Sequence, residues 1–152
     1  MTFIFDAIIA QRMLKIMKYL WALPITALGL LALLIALPSR PSVAWLRIGS
    51  TYALCAWGGW LDIWLQKHPF GSMWAAAIGH VVIARDARKL CFCGAHEFEH
   101  VRQTERWGIL MPLAYVLNGF WQLFKGRQFY RNNVFEEAAY QFGPERFERK
   151  KP

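Results

Sequence analysis

The chain has 152 residues, the length of a single domain, and 56% of them are hydrophobic. Its formal net charge is +8, but the 18 lysines and arginines are spread along the chain rather than gathered in one patch, which argues against a nucleic-acid-binding protein. Scattered basic residues and eight tryptophans are typical of contact with a membrane surface instead, and they make membrane lipid an expected partner.

The amino-terminal part of the chain predicts a membrane anchor. Residues 1–18 have an amphipathic pattern and are expected to lie along lipid headgroups. Residues 19–38 then carry no charge, and a helix over the first 19 of them would be about 28 Å long, close to the thickness of the hydrocarbon core. A cleaved signal peptide is the competing interpretation, although the apolar run is longer than usual for one and lacks a small-x-small cleavage site. The sequence therefore favours a membrane location through a single-pass anchor.

Two features of the sequence disagree about the side of the membrane on which the rest of the chain lies. Basic residues before the anchor slightly outnumber those soon after it, which favours an inside amino terminus and an exported domain. Cys55, Cys91 and Cys93 cannot all pair within one molecule, and unpaired thiols favour a reducing compartment. Both orientations stay open.

Residues 42–145 are expected to form an α+β domain. The segment 42–56 contains two runs of strand-like composition broken at Gly49 and Ser50, and it predicts a hairpin. A second membrane span is the rival interpretation, although Arg47 and several glycines interrupt the apolar character. A short helix over 60–67 follows.

The pattern next predicts a strand over 77–84, which includes His80. This histidine is expected to be either a packed residue or one directed at substrate or metal. A helix over 87–106 comes after it. Gly94 lies inside that helix at a cost of about 1 kcal/mol relative to alanine, and close approach to a strand would account for it.

The carboxyl-terminal third predicts two more helices. The segment 112–125 is apolar nearly all round and is therefore expected either in the core or against a membrane. Asn132 and Asn133 form a capping signal for a last helix over 134–142, which Gly143 and Pro144 would end. Residues 146–152 form a charged tail.

The most specific signal in the chain is the stretch His-Glu-Phe-Glu-His from His96 to His100, which fits the HExxH zinc signature. At 3.6 residues per turn the two histidines lie about 40° apart on the helix surface, so both imidazoles point at one ion. Glu97 comes beside that ion, where a carboxylate accepts a proton from water rather than binding the metal. This layout is typical of a zinc hydrolase, and it makes Zn²⁺ the expected cofactor.

A catalytic zinc takes three protein ligands, so one more must be found. Glu136 and Glu137 are candidates, but adjacent helical residues diverge by about 100°, so both cannot bind one ion. Cys93, three residues before His96, would complete a closed structural site, although a small apolar residue packed beneath the site is the simpler interpretation.

Other polar residues near these positions have weaker signals. Candidates for stabilising an oxyanion are Tyr115, Tyr130 and Arg131. The polar residues that follow the motif are expected on the surface or in supporting salt bridges; they are Arg102, Gln103, Glu105 and Arg106.

Three separated blocks occur in order between residues 77 and 141: HEFEHVRQTERWG, PLAY and YRNNVFEEAAY, preceded by AIGHVVIARD. They resemble small membrane-anchored bacterial HExxH proteins that carry HExxHVRQxERWG and a downstream NxFExxAY. The resemblance implies a minimal gluzincin-like (zincin) metalloprotease domain, with a small sheet, the HExxH helix and further helices downstream. It also implies Glu136 as the third ligand, with Ala139 and Tyr140 following as in the ExxA arrangement of membrane zinc proteases. Val134 stands where the relatives often have proline.

The expected function is that of a membrane-anchored zinc-dependent metallopeptidase acting on a peptide or protein substrate. His96, His100 and Glu136 would hold the ion, and Glu97 would be the general base. The strand around residues 79–82 would offer a sheet edge to an extended substrate. The alternative is a non-catalytic, membrane-associated zinc-binding scaffold, because so small a domain leaves little room for a deep pocket. The sequence does not bear on oligomeric state.

Overall fold

The computed structural model describes residues 2–69 and 71–142 as an α+β fold built on a small mixed sheet. The elements in chain order are α1 (Thr2–Ala36), β1 (Ser42–Ile48), β2 (Thr51–Trp57), α2 (Trp60–Gln66), β3 (Ala75–Ile78), β4 (Val81–Ala84), α3 (Ala87–Trp107), α4 (Met111–Phe124) and α5 (Val134–Ala139). Single 3₁₀ turns follow α1 and α3.

The strands lie in the order β1-β2-β4-β3. The two outer pairs are antiparallel, while β2 and β4 pair in parallel because α2 and β3 intervene between them and reverse the chain. The two central strands are the apolar ones: β4 is buried along its whole length, and Ala53, Cys55 and Ala56 of β2 are fully buried.

Side chains alternate between the two faces of the sheet, so the sheet separates two apolar clusters. One face, with Ala53, Cys55 and Val82, packs against α3 through Leu90, Phe98 and others. The opposite face, with Ala56, Val81 and Ile83, packs against α1 and α2. The sheet therefore fixes the position of α3 on one face and that of α1 on the other.

The predicted hairpin over 42–56 is confirmed, with β1 and β2 joined by a turn at Gly49 and Ser50. The single strand predicted over 77–84 is wrong. That region contains the end of β3, the turn at Gly79 and His80, and the whole of β4, which together belong to another hairpin. Gly79 has a φ of 64°, and its missing side chain lets the Thr26 backbone of α1 come against it.

This second hairpin also corrects the expected substrate-binding edge. The strand that contains Val81 and Val82 lies between β2 and β3 and is paired on both sides. Among the described residues, the strand of this hairpin with an unpaired edge is β3.

The amino-terminal residues form one helix, α1, without a break between the segment expected on the headgroups and the expected anchor. The helix is long and apolar enough to cross a membrane by length and composition. One side of it belongs to the core of the fold. Leu33 and Ala36 lie in the cluster beneath the sheet, and Gly29 brings the helix against the carbonyl oxygen of Ile78.

The helix that carries the HExxH motif is confirmed and well bounded. Asp86 caps its amino terminus by accepting a hydrogen bond from the Lys89 backbone N–H at 2.8 Å, and Lys89 Nζ donates to the other oxygen at 2.6 Å. Gly108, with a φ of 54°, ends it.

The other predicted helices are found with adjusted ends. The short helix after the first hairpin and the apolar helix after α3 are confirmed as α2 and α4. Asn133 caps α5 as expected, but α5 ends at Ala139 rather than near Phe142. Gly143, Pro144 and the charged tail over 146–152 lie outside the described residues.

No strand backbone approaches the side-chain position of Gly94, contrary to the close approach expected there, although the residue is buried. A Cβ placed there would meet no atom within 4 Å beyond its own helix backbone. Gly119, in the middle of α4, is the opposite case, because a Cβ there would collide with the Phe129 ring.

Replacing Gly94 by alanine should therefore raise the free energy of unfolding by up to about 1 kcal/mol through helix propensity. Gly119→Ala should lower it by about 1–3 kcal/mol, since the Phe129 ring must move. Thermal unfolding of the purified chains, followed by circular dichroism, measures both. A shift of the unfolding temperature in the same direction in both variants would contradict the difference in packing between Gly94 and Gly119.

Candidate metal centre

The two histidines of the motif meet on the side of α3 that faces α5. They are one helical turn apart, and their Nε2 atoms are 3.1 Å from each other. Their rings are edge to face, with centroids 4.7 Å apart. His96 is buried and His100 is partly buried. The backbone of α3 alone thus brings two nitrogen donors to one point.

The third member of the group is Glu136 in the first turn of α5. Its Oε2 atom is 3.3 Å from His96 Nε2, and its Oε1 atom is 3.4 Å from His100 Nε2. His96, His100 and Glu136 form a buried group that could hold a metal ion. Glu137 is exposed and is not part of this group.

The size of the group suits a small divalent ion. A tetrahedral ion with bonds of about 2.0–2.1 Å has ligand atoms about 3.3–3.4 Å apart. The two histidine nitrogens are 3.1 Å apart, and each lies 3.3–3.4 Å from a different oxygen of the Glu136 carboxylate. With one ligand atom taken from each residue, the three atoms lie within 4.8 Å of one another, close enough to share one ion.

The buried polar atoms of the group also favour a positive charge at its centre. Within the described part of the chain, the buried atoms Glu136 Oε2 and His96 Nδ1 have no hydrogen-bond partner. A buried carboxylate facing two imidazole nitrogens is costly unless a proton or a cation lies between them.

Gln103 connects the two sides of the group. Its Oε1 atom is 2.9 Å from His100 Nδ1, and its Nε2 donates to the Phe135 carbonyl oxygen at 2.8 Å. With Nδ1 of His100 as the donor, the lone pair of Nε2 points at the centre of the group. Gln103 is 3% exposed, so its expected place on the surface or in a salt bridge is wrong.

A set of side-chain caps fixes α5 on α4. Asn133 is fully buried, accepts a hydrogen bond from the Phe135 backbone N–H and donates one to the Tyr115 carbonyl oxygen at 2.9 Å. Asn118 of α4 accepts from the Val134 backbone N–H at 3.0 Å. The Tyr115 hydroxyl donates directly to Glu136 Oε1 at 2.7 Å. These contacts aim the carboxylate at the histidines.

The charges in the group are coupled. Burial acts to lower the pKa of His100, but the hydrogen bond and negative charge of Glu136 prevail and raise that pKa to about 9. Burial acts to raise the pKa of Glu136, yet the neighbouring imidazoles of His100 and His96 hold it well below its ordinary value. These shifts favour a protonated His100 beside an ionised Glu136 in the metal-free protein.

Glu97 lies near the group without being a member of it. It is 5% exposed, and its negative charge acts on His100 and on Tyr115. The Tyr140 ring lies tilted against the His96 ring, with the centroids 4.6 Å apart. Burial and the charge of Glu136 raise the pKa of Tyr115, so its hydroxyl stays protonated and donates its hydrogen bond at neutral pH.

Two residues considered for the site lie elsewhere. Cys93 is buried in the apolar cluster between α3 and the sheet, and it does not belong to the group of ligand atoms. His80 lies in the turn between β3 and β4, where it contacts Thr26 and approaches Glu105 with its Nε2 at 3.3 Å. It joins α1 to the end of α3 and is not part of the group.

Comparison of the chain with protein-family models, with curated proteins and with solved structures yields no match.

Glu136→Gln should reduce the affinity for zinc more than about 100-fold, beyond the 10–100-fold typical of residues that only orient ligands. The matched control is Glu137→Gln on the same turn, which removes an exposed carboxylate and should leave the affinity unchanged. Competition titration with a chromophoric chelator measures both variants. Equal losses would exclude Glu136 as the third ligand.

In the metal-free protein, the ion pair between His100 and Glu136 should make stability depend on pH. The folded-state pKa of His100 lies above its ordinary value of 6.5, so the stabilisation is complete below pH 6.5 and is lost as the pH rises through about 9. The loss should reach at most about 3 kcal/mol. Unfolding with chelator present, compared between the native chain and His100→Gln, measures it. Identical pH profiles would contradict the pairing.

Proposed function

We propose that this protein is a zinc-dependent metallopeptidase anchored in a membrane by α1. The observation that carries the proposal is the convergence of His96, His100 and Glu136, with Glu97 buried beside them. Two imidazoles and a carboxylate from an HExxH helix and a downstream helix form the ligand set of a hydrolytic zinc site, and they leave one position open.

Zinc is the ion that the group suits best. Two nitrogens and one carboxylate oxygen are borderline donors, in contrast to the all-oxygen sets that magnesium and calcium prefer. A zinc ion held there would lower the pKa of water towards about 7 and polarise a carbonyl group. The residues around the zinc ion would have separate roles in peptide hydrolysis.

Glu97 is proposed as the general base. It follows His96 directly and so projects beside the group rather than into it, and its charge acts on His100. A carboxylate in this position accepts a proton from the attacking water and passes it to the leaving amine. Tyr115 is proposed to position Glu136, because its hydroxyl is already engaged with that carboxylate.

A second tyrosine is better suited than Tyr115 to meet the substrate. Tyr130 is 48% exposed, and burial of its hydroxyl together with the charge of Glu136 raises its pKa, so the hydroxyl stays protonated. A phenol at the open side of the group can donate to the oxygen that becomes negative during attack. We propose that an extended peptide substrate binds along the unpaired edge of β3.

The membrane location is proposed from the outer side of α1. Its apolar residues there are from 45% to 63% exposed and include Leu20, Leu23, Leu30, Leu31, Leu34 and Ile35. A surface of this kind is costly in water, and lipid would cover it. The inner side of the same helix stays packed on the sheet.

Glu97→Gln tests the catalytic proposal, because it removes the base and keeps the shape of the side chain. Zinc should remain bound at one ion per chain, while hydrolysis of a peptide library by the zinc-loaded protein should fall at least about 100-fold. Glu137→Gln is the matched control and should retain full turnover.

Two results would oppose the proposal in different ways. Unchanged turnover in Glu97→Gln would remove this residue from the mechanism. A native chain that binds zinc tightly but cleaves no peptide would favour the non-catalytic zinc-binding scaffold.

A further inference from the structure

Helix α4 has two faces with opposite roles. The inner face is buried at Met111, Gly119 and Gln122, and from it Tyr115 reaches Glu136. The outer face is apolar and exposed, and α4 contains no charged residue. The exposed fractions on this outer face are 57% for Leu113, 59% for Leu117, 60% for Phe120, 50% for Trp121 and 83% for Phe124.

The outer face of α4 is continuous with the apolar surface of α1. The turn before α4 carries Ile109 and Leu110, which are 52% and 48% exposed. Gly108, at the start of that turn, lies against the Trp21 indole of α1, and Trp21 is itself 45% exposed. Exposed apolar residues therefore follow one another from Trp21 of α1 across the turn onto α4.

Basic residues stand at both ends of α4. Arg106 precedes it, and Lys125 and Arg127 follow it, all of them exposed. Lys125 Nζ lies 4.7 Å from the centre of the Trp121 ring, and Trp121 stacks on Phe124. Aromatic rings beside lysine and arginine are typical of the headgroup region of a bilayer.

These charges favour lipid over a second copy of the chain as the occupant. At the amino end of α4, Arg106 is already paired with Glu99 at 3.6 Å, so the positive charge is concentrated at the carboxyl end on Lys125 and Arg127. A parallel pair of α4 helices would bring these two residues onto their counterparts, whereas anionic headgroups would neutralise them.

We propose that the outer face of α4 is a second membrane contact, embedded in the interfacial region of the bilayer beside α1. At 14 residues the helix is about 21 Å long, too short to span the hydrocarbon core, so it lies in the surface layer. Because α5 is fixed to the inner side of α4, the metal group then lies at the membrane surface. That this would present membrane-proximal polypeptide to the site rests on the proposed function; the lipid contact itself does not.

A nitroxide label on the full-length chain in phosphatidylcholine–phosphatidylglycerol vesicles tests this contact. The label is attached at Leu117→Cys in a Cys91→Ser background, which removes the exposed native thiol. Its collision rates are measured with oxygen, which concentrates in lipid, and with a nickel chelate, which stays in water. Phe120→Cys, on the same face, is the second variant, and a circular-dichroism spectrum and unfolding midpoint like those of the native chain show that each labelled chain is folded.

Two matched labels calibrate the result. Leu31→Cys reports on the outer side of α1, and Arg88→Cys reports on an exposed position at the start of α3. We expect an oxygen-to-chelate ratio at Leu117 that is several-fold above that at Arg88. A low ratio at Leu31 as well would remove the proposed anchor, whereas a low ratio at Leu117 alone would remove only the α4 contact.

Two further outcomes would overturn the proposal. Spin–spin broadening at Leu117 that disappears on dilution with unlabelled chain would show that a second copy covers α4. Low collision rates with both reagents would show that protein covers this face.

Discussion

The meeting of α3 and α5 at one buried point is the constraint on which the remaining structure depends. Helix α3 supplies two imidazole nitrogens from consecutive turns, and α5 supplies a carboxylate that complements them in charge. Neither helix could hold such a group alone. A helix as short as α5 is not stable by itself, so its position comes from Asn133, Asn118 and Gln103, which connect it to α4 and α3.

The sheet supports the contact between α3 and α5 by holding α3 in position. It fixes α3 through a dry cluster that includes Val82, Leu90 and Phe98, with Cys93 among the packed residues. On its other face it fixes α1, which is also joined to the end of α3 through His80, Thr26 and Glu105. The apolar amino-terminal helix is therefore a layer of the fold as well as the proposed anchor. A change in how α1 packs would reach α3 through these shared contacts.

Much of the architecture was readable from local sequence patterns. The first hairpin follows from two strand-like runs around Gly49, and the bounds of α3 follow from the Asp86 cap and the Gly108 stop, because turns and caps are local effects. The continuous β-branched run over 77–84 predicts one strand. The turn at Gly79 depends on the close approach of α1, which no local pattern contains. The open position beside Gly94 is a tertiary feature of the same kind.

For the candidate site, the sequence by itself determined the pair of histidines and the adjacent Glu97, because residues four apart on a helix must share a face. For the third member it leaves Glu136 and Glu137 as the main candidates beside Cys93, and only a resemblance favours Glu136. Tertiary structure decided that Glu136 faces the imidazoles while Glu137 faces outward, since the choice depends on how α5 is rotated against α4. It also decided the roles of Gln103 and Tyr115, whose hydrogen bonds join segments far apart in the chain, and the location of Cys93 in the core.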